Sequence, residues 1–236
     1  VDVDLRSILG RRGRIGAGVG VIAQSSPYRD SDGAVFQPIP AITYIGDRLQ
    51  VLGPRLQVGV IRQGDSALAV TASYRVGAYE EDDSPYLEGL GDRDGTMMGG
   101  LSVRTRVPYG FRVGAGYEHD LLDRSGGGTG RLGVERSFQR GILTVSPQLA
   151  VNWMSADLAD YEFGVPADRA RTDRPAYRVG DAFIPEAGVG LFVELKGAWR
   201  LLLNGSGKLL PAEIADSPIV EQDYVVGGFA AVTRLF

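Results

Sequence analysis

Apolar and polar residues alternate with a period of two over most of the chain, and helical periodicity is nearly absent. Leu68, Val70, Ala72, Tyr74 and Val76 oppose Ala69, Thr71, Ser73 and Arg75. Leu101, Val103, Thr105 and Val107 oppose Ser102, Arg104 and Arg106, and Phe111, Val113, Ala115 and Tyr117 oppose Arg112, Gly114, Gly116 and Glu118. The same reading holds for Ile15–Val21 against Gly16, Gly18 and Gly20, for 188–195 and for 199–204. Such segments predict antiparallel strands with two unlike faces.

The polar face is the informative one. It is built of Gly, Ser and Arg, and the whole chain holds only two lysines, Lys196 and Lys208. Small residues and arginines suit the inside of a narrow barrel, with the apolar face turned to lipid. Tight turns are expected at Gln63-Gly64-Asp65-Ser66, Pro108-Tyr109-Gly110, Gln139-Arg140-Gly141 and Lys196-Gly197-Ala198. Long polar loops are expected at 25–33, 79–95, 120–130, 156–182 and 211–223. This asymmetry predicts an all-β, antiparallel up-and-down transmembrane β-barrel with short periplasmic turns and long external loops.

The strand count turns on 34–63. One strand over 47–63 gives an odd total, which would put the two chain ends on opposite sides. The apolar phase slips at Gly53-Pro54, from Leu49 and Val51 to Leu56, Val58 and Val60. A bulge or a tight turn would each do this; parity favours the turn, so about 12 strands are expected, with ten as the alternative. Apolar residues run to the terminal aromatic Phe236, a strand end that must close on another strand. The glycine-rich strand around Gly16–Gly20 is the expected partner, and Phe236 is the expected assembly signal.

Bulk properties remove several alternatives. There is no run of 18 apolar residues, so no transmembrane helix is expected. Cysteine is absent, which excludes disulfides, thiolate metal sites and a cysteine nucleophile. A net charge of -4 with no basic tract argues against nucleic acid. Residues 1–12 have no basic and apolar leader pattern; they are expected as a periplasmic segment of an exported chain whose signal has been removed, within a single domain spanning 1–236. No cofactor or metal is expected.

Ordered along the chain, Ser26-Pro27-Tyr28-Arg29-Asp30-Ser31-Asp32, Gln37-Pro38-Ile39-Pro40-Ala41-Ile42-Thr43-Tyr44-Ile45-Gly46-Asp47-Arg48 and Gly89-Leu90-Gly91-Asp92-Arg93 resemble segments of the MipA/OmpV family. So do Tyr161-Glu162-Phe163-Gly164-Val165, Arg174-Pro175-Ala176-Tyr177-Arg178-Val179-Gly180 and Asp216-Ser217-Pro218-Ile219-Val220. Asp30 stands where the family usually has Gly, and Arg234 where the C-terminal assembly signal prefers an apolar residue. The resemblance implies a Gram-negative outer-membrane barrel. Its namesake is described as a scaffold between a murein lytic transglycosylase and a murein synthase; other members are described as adhesins or linked to osmotic or antibiotic responses. It carries no catalytic residues over. Implied partners are outer-membrane lipid and lipopolysaccharide, the barrel-assembly machinery and envelope proteins such as the murein enzymes.

Candidate chemistry is sparse. Arg75, Arg104, Arg106, Arg112, Arg131 and Arg200, with Glu118, Glu135 and Glu194, are expected to line the lumen, as a pore surface or as an internal ion-pair network. His119, between Glu118 and Asp120, reads as an interfacial residue before it reads as a general base. Glu80-Glu81-Asp82-Asp83 with Glu88, Asp92 and Asp94 lacks calcium-loop spacing and reads as a solvated loop. Tyr79, Tyr109, Trp153 and Trp199 suit aromatic girdles, while Tyr28, Tyr86, Tyr161, Phe163 and Tyr177 are candidate loop contacts. The leading expectation is a non-enzymatic scaffold for envelope machinery. A small-solute channel or ligand-binding barrel, an outer-membrane hydrolase and a soluble lipocalin-like barrel follow.

Overall fold

The computed structural model describes residues 13–31, 34–46 and 48–236. The segment expected as a periplasmic extension, 1–12, lies outside the described residues. Fourteen strands form one antiparallel sheet: β1 (Arg14–Ser25), β2 (Ala34–Pro40), β3 (Thr43–Ile45), β4 (Leu49–Leu52), β5 (Arg55–Gln63), β6 (Ser66–Arg75), β7 (Thr96–Arg106), β8 (Phe111–Asp120), β9 (Gly128–Arg136), β10 (Phe138–Arg140), β11 (Leu143–Met154), β12 (Ala182–Glu194), β13 (Trp199–Leu209) and β14 (Tyr224–Leu235). β2 and β3 share one stave, both pairing β1, and β9 and β10 share another, both pairing β11. The closed wall therefore has 12 staves.

Closure occurs where the glycines predict it. β14 pairs β1 from Gly16↔Leu235 to Gln24↔Gly227, and the Phe236 N–H donates to the Ile15 carbonyl at 2.8 Å. A side chain at Gly18 would overlap the Val232 carbonyl and the Thr233 backbone, so the seam tolerates no Cβ at that position.

The phase slip at 53–54 is a turn. β4 and β5 form a hairpin with Leu52 opposite Arg55, and Gly53 has φ +56, the positive value required at the first position of a two-residue hairpin loop. A separate register shift lies between Gly59 and Ile61, and Val60 and Ile61 there are both exposed.

Outward positions are apolar and exposed, including Val19, Leu101, Leu132, Leu149 and Phe183. Lipid replaces water around such a band. Trp153, Tyr74 and Tyr224 border it at the long-loop end, and Trp199, Phe111 and Phe138 at the short-turn end. Tyr79, expected in a girdle, is instead buried among loop residues.

The buried core lies at the long-loop end. The expected loop 156–182 contains helix α1 (Ala156–Phe163), and β12 begins at Ala182, before the alternation at 188 revealed it. Ser155 caps α1 by accepting from the Leu158 N–H, Asp157 favours the first turn, and Gly164 ends it. Its Leu158, Ala159 and Phe163 pack with Tyr28, Tyr79, Leu87, Ile214 and Ile219 from three other loops; Ile214 sits on the short helix α2 (Ala212–Ala215).

Candidate functional site

The external loops close over the barrel mouth as a cap. Glu162 on α1 accepts two bonds from Arg75 on β6, at 2.6 Å and 2.9 Å, and only 7% of it is exposed. This two-pronged pair ties cap to wall. The Tyr28 hydroxyl donates to the Glu162 carbonyl at 3.2 Å, the Ser217 hydroxyl to the Phe163 carbonyl at 2.6 Å, and Arg93 Nε to the Tyr161 carbonyl at 2.7 Å.

Arg174 is the cap's central polar strut. Its guanidinium is 1% exposed and donates to the carbonyls of Tyr86, Glu88 and Arg169 at 2.6 to 3.0 Å, while its Nε has no partner. Burial lowers its pKa from the ordinary arginine value, with the Arg171 charge adding to the effect. Burial also pushes the Tyr28 and Tyr79 hydroxyls upward, so both are held neutral.

Below the cap, two ion pairs bridge strands that are not neighbours, which places them in the lumen, and two more link adjacent strands. Arg55 on β5 reaches Glu118 on β8 at 2.9 Å, and Ser73 donates to the same carboxylate. Arg131 on β9 reaches Glu186 on β12 at 2.7 Å, with Asn152 between them donating to Glu186 at 2.9 Å. Arg112 meets Glu135 at 2.7 Å, and Arg200 meets Glu194 at 3.7 Å.

At the short-turn end the arrangement changes. A recess of about 870 Å³ is lined by Arg48, Arg62, Arg104 and Arg106, together with Asp65 and the Arg112–Glu135 pair. Among the described residues none of these four arginines makes an ion pair. Repulsion among four solvated guanidinium groups leaves a positive potential that an anionic surface would neutralise.

The residues nominated from sequence thus divide. Arg75, Arg112, Glu118, Arg131, Glu135, Glu194 and Arg200 are paired, whereas Arg104 and Arg106 have no ion pair among the described residues. Tyr28 and Phe163 are buried inside the cap. Tyr86, Tyr161 and Tyr177 are half-buried: Arg29 lies over Tyr86, Arg93 over Tyr161, and the Tyr177 hydroxyl donates to the Glu213 carbonyl. Phe236 is exposed, with Arg234 over its ring.

His119 contacts the Tyr117 hydroxyl at 3.2 Å on the outward face. Glu118 and Asp120 turn inward, Asp120 to Thr96 and Ser125, so the His119 ring has neither neighbour as an orienting acid. The acidic loop folds on itself, the Glu80 and Glu81 N–H groups donating to Asp83 and Asp92; no group of three metal-binding side chains occurs among the described residues.

Sequence reasoning missed Arg55, Glu162 and Glu186. Glu186 was readable, because it continues the lumen-facing series of Gly188 and Gly190. Glu162 carried no such signal, since it sits on a helix inside an expected loop.

The family model described as MltA-interacting protein MipA matches residues 17–236. The MltA-interacting protein of Escherichia coli (strain K12) is 30% identical over 213 residues, covering 89% of this chain and 84% of the relative. The putative outer membrane protein YiaT of the same organism is 28% identical, covering 87% and 84%. Outer membrane protein OmpV of Vibrio cholerae is 26% identical, covering 65% and 60%. Among solved structures, the translocator domain of autotransporter NalP from Neisseria meningitidis aligns with a TM-score of 0.44 at 12% identity, covering 96% of this chain and 89% of that one. With the matched segment running from β1 to Phe236, this chain belongs to the MipA/OmpV family of outer-membrane β-barrel proteins.

Proposed function

We propose that the protein is a non-enzymatic outer-membrane scaffold that docks a periplasmic envelope protein at its short-turn end. The observation that carries this reading is the recess lined by Arg48, Arg62, Arg104 and Arg106, none of which makes an ion pair among the described residues. Short turns of outer-membrane barrels face the periplasm, so this surface meets periplasmic proteins. The opposite mouth is filled by its own core, which favours partner binding over a passive pore; a small-solute channel would need the cap to move.

The relative named MltA-interacting protein suggests the partner: a protein of the MltA kind, the murein-cleaving enzyme that the family resemblance implies. Charge complementarity predicts an acidic patch on it. Such contacts mainly raise the association rate and weaken with salt. Surface-plasmon measurements on the detergent-solubilised barrel should show binding that falls with ionic strength. Reversal of Arg104 and Arg106 to Glu should lower it about tenfold or more. Binding unaffected by both changes, or no binding of any murein enzyme, would refute the reading.

A further inference from the structure

The barrel wall has an opening in its long-loop half. β2 pairs β1 along its whole length, from Val19↔Pro40 to Ser25↔Ala34. Among the described residues no strand pairs its other edge. β4 ends at Leu52, opposite Thr43, and the last bond across that junction runs from the Gly53 N–H to the Ile42 carbonyl at 3.1 Å. Across the gap, β6 loses its partner at the same level. Ser73 faces Arg55, the Tyr74 N–H reaches the Pro54 carbonyl, and beyond it Arg75 pairs only with Thr96 on β7. The opening is therefore framed by Gly53 and Pro54 below, by β2 and residues 74–78 at the sides, and by the cap above.

The backbone of the free edge suits this exposure. The Ala41 N–H donates to the Gly18 carbonyl, while Ile42 accepts from the opposite side. Odd-numbered residues of this stave thus direct their polar groups to β1 and even-numbered ones to the opening. Two of those even positions are Pro38 and Pro40, which have no N–H. The prolines remove donors that lipid cannot satisfy.

Behind the opening lies a lumenal cavity of about 710 Å³ whose lining includes Ile22, Leu52, Leu202, Val225 and Phe229. A smaller cavity of about 250 Å³ touches both sides of the opening, Gln37 on β2 and Val76, Gly77 and Ala78 after β6. Ile22, Gln24, Lys208 and Val225 line both cavities, so the opening leads inward. The larger volume is that of a small-molecule pocket. Its lining is mostly apolar, and the one arginine in it, Arg55, is already paired with Glu118.

Lys208 supplies a polar anchor. Among the described residues it makes no ion pair or hydrogen bond, and its cross-strand neighbour Glu186 is already occupied by Arg131 and Asn152. We propose that this sector is a lateral port: a single-chain amphipathic carboxylate enters from the outer leaflet, its tail fills the apolar cavity and its carboxylate binds Lys208. This site is independent of any periplasmic partner.

The test uses the whole barrel in lipid nanodiscs and a 12-carbon carboxylate carrying a diazirine at its tail, with the matching 12-carbon alcohol as the neutral probe. Photolabelling should mark lumen-facing residues of β1, β4, β13 or β14. Lys208→Gln should weaken carboxylate binding about tenfold or more, the worth of a charge-assisted contact, without affecting the alcohol, and Lys208→Arg should restore it. Leu202→Trp should abolish binding of both probes. A bulky thiol adduct on Gln37→Cys, unique in a chain without cysteine, should slow association. Retained heat-shifted gel mobility certifies folding of each variant. Label confined to outward residues, or equal affinity for acid and alcohol, would overturn the site and leave bilayer acyl chains as the occupant. An unchanged association rate in the Gln37 adduct would overturn the lateral route.

Discussion

Arg75→Ala tests how the cap is held to the wall. The substitution leaves the Glu162 carboxylate in place, with its side chain 10% exposed, and deletes both bonds to it, at 2.6 Å and 2.9 Å. Breaking a buried ion pair costs about 3–5 kcal/mol, and an exposed one about 0–1 kcal/mol. The Arg75 side chain is 30% exposed, so solvent screens part of the interaction and about 2–3 kcal/mol is the reasonable expectation. That loss falls on the cap, because the strands keep their own ladders. Local opening of α1 should become about 30- to 150-fold more frequent, at roughly 1.4 kcal/mol per factor of ten.

Native-state hydrogen exchange of α1 amides measures this directly in micelles, with strand amides as the internal reference. Glu162→Gln should give a smaller effect, since its amide oxygen still accepts from Arg75. Unchanged α1 protection in Arg75→Ala would refute the anchoring argument. Loss of α1 and strand protection together would refute the independence of the cap.

Gly18→Val should block closure, because its Cβ would meet the Val232 carbonyl; Gly114→Ala, whose nearest contact is an ordinary 3.7 Å, should be tolerated. Heat-shifted gel mobility separates the two, and a normally folding Gly18→Val would contradict the close approach at the seam. Burial raises the Tyr28 and Tyr79 pKa values above their unfolded values of about 10. Their contribution to cap stability is therefore fully present below about pH 10 and lost as pH rises through the folded values. Tyrosinate absorbance should show a late fraction that appears as the cap opens. A single phase at the ordinary value, accounting for all 10 tyrosines, would refute this.

The wall was legible because each strand residue reports its own face: lipid selects Val19 or Leu101 outward, while the crowded lumen selects Gly18 or Ser102 inward. Even the turn at Gly53 could be located, since a reversal shifts the apolar phase. The cap had no such one-dimensional signature. Leu158, Leu87 and Ile219 become a core only when four loops converge, and nothing periodic links residues so far apart in sequence. Ser155 before Asp157 was a faint helix-start signal over eight residues, too short to stand without packing. The opening escaped for a related reason. Pro38 and Pro40 announce an edge, but which edge lacks a neighbour depends on how far β4 extends.

The shortness of β4 also bears on the surrounding bilayer. β12 runs for 13 residues and β4 for four, roughly 13 Å of strand at about 3.3 Å per residue, against an apolar belt about 25 Å tall in such barrels. The hydrophobic height is consequently uneven around the circumference. Lipids beside the β4–β5 hairpin meet a low sill where those beside β12 meet a full wall, and they must tilt or thin to match it. The protein thus carries a fixed soft spot in its annulus, where acyl chains are less ordered than elsewhere along its perimeter.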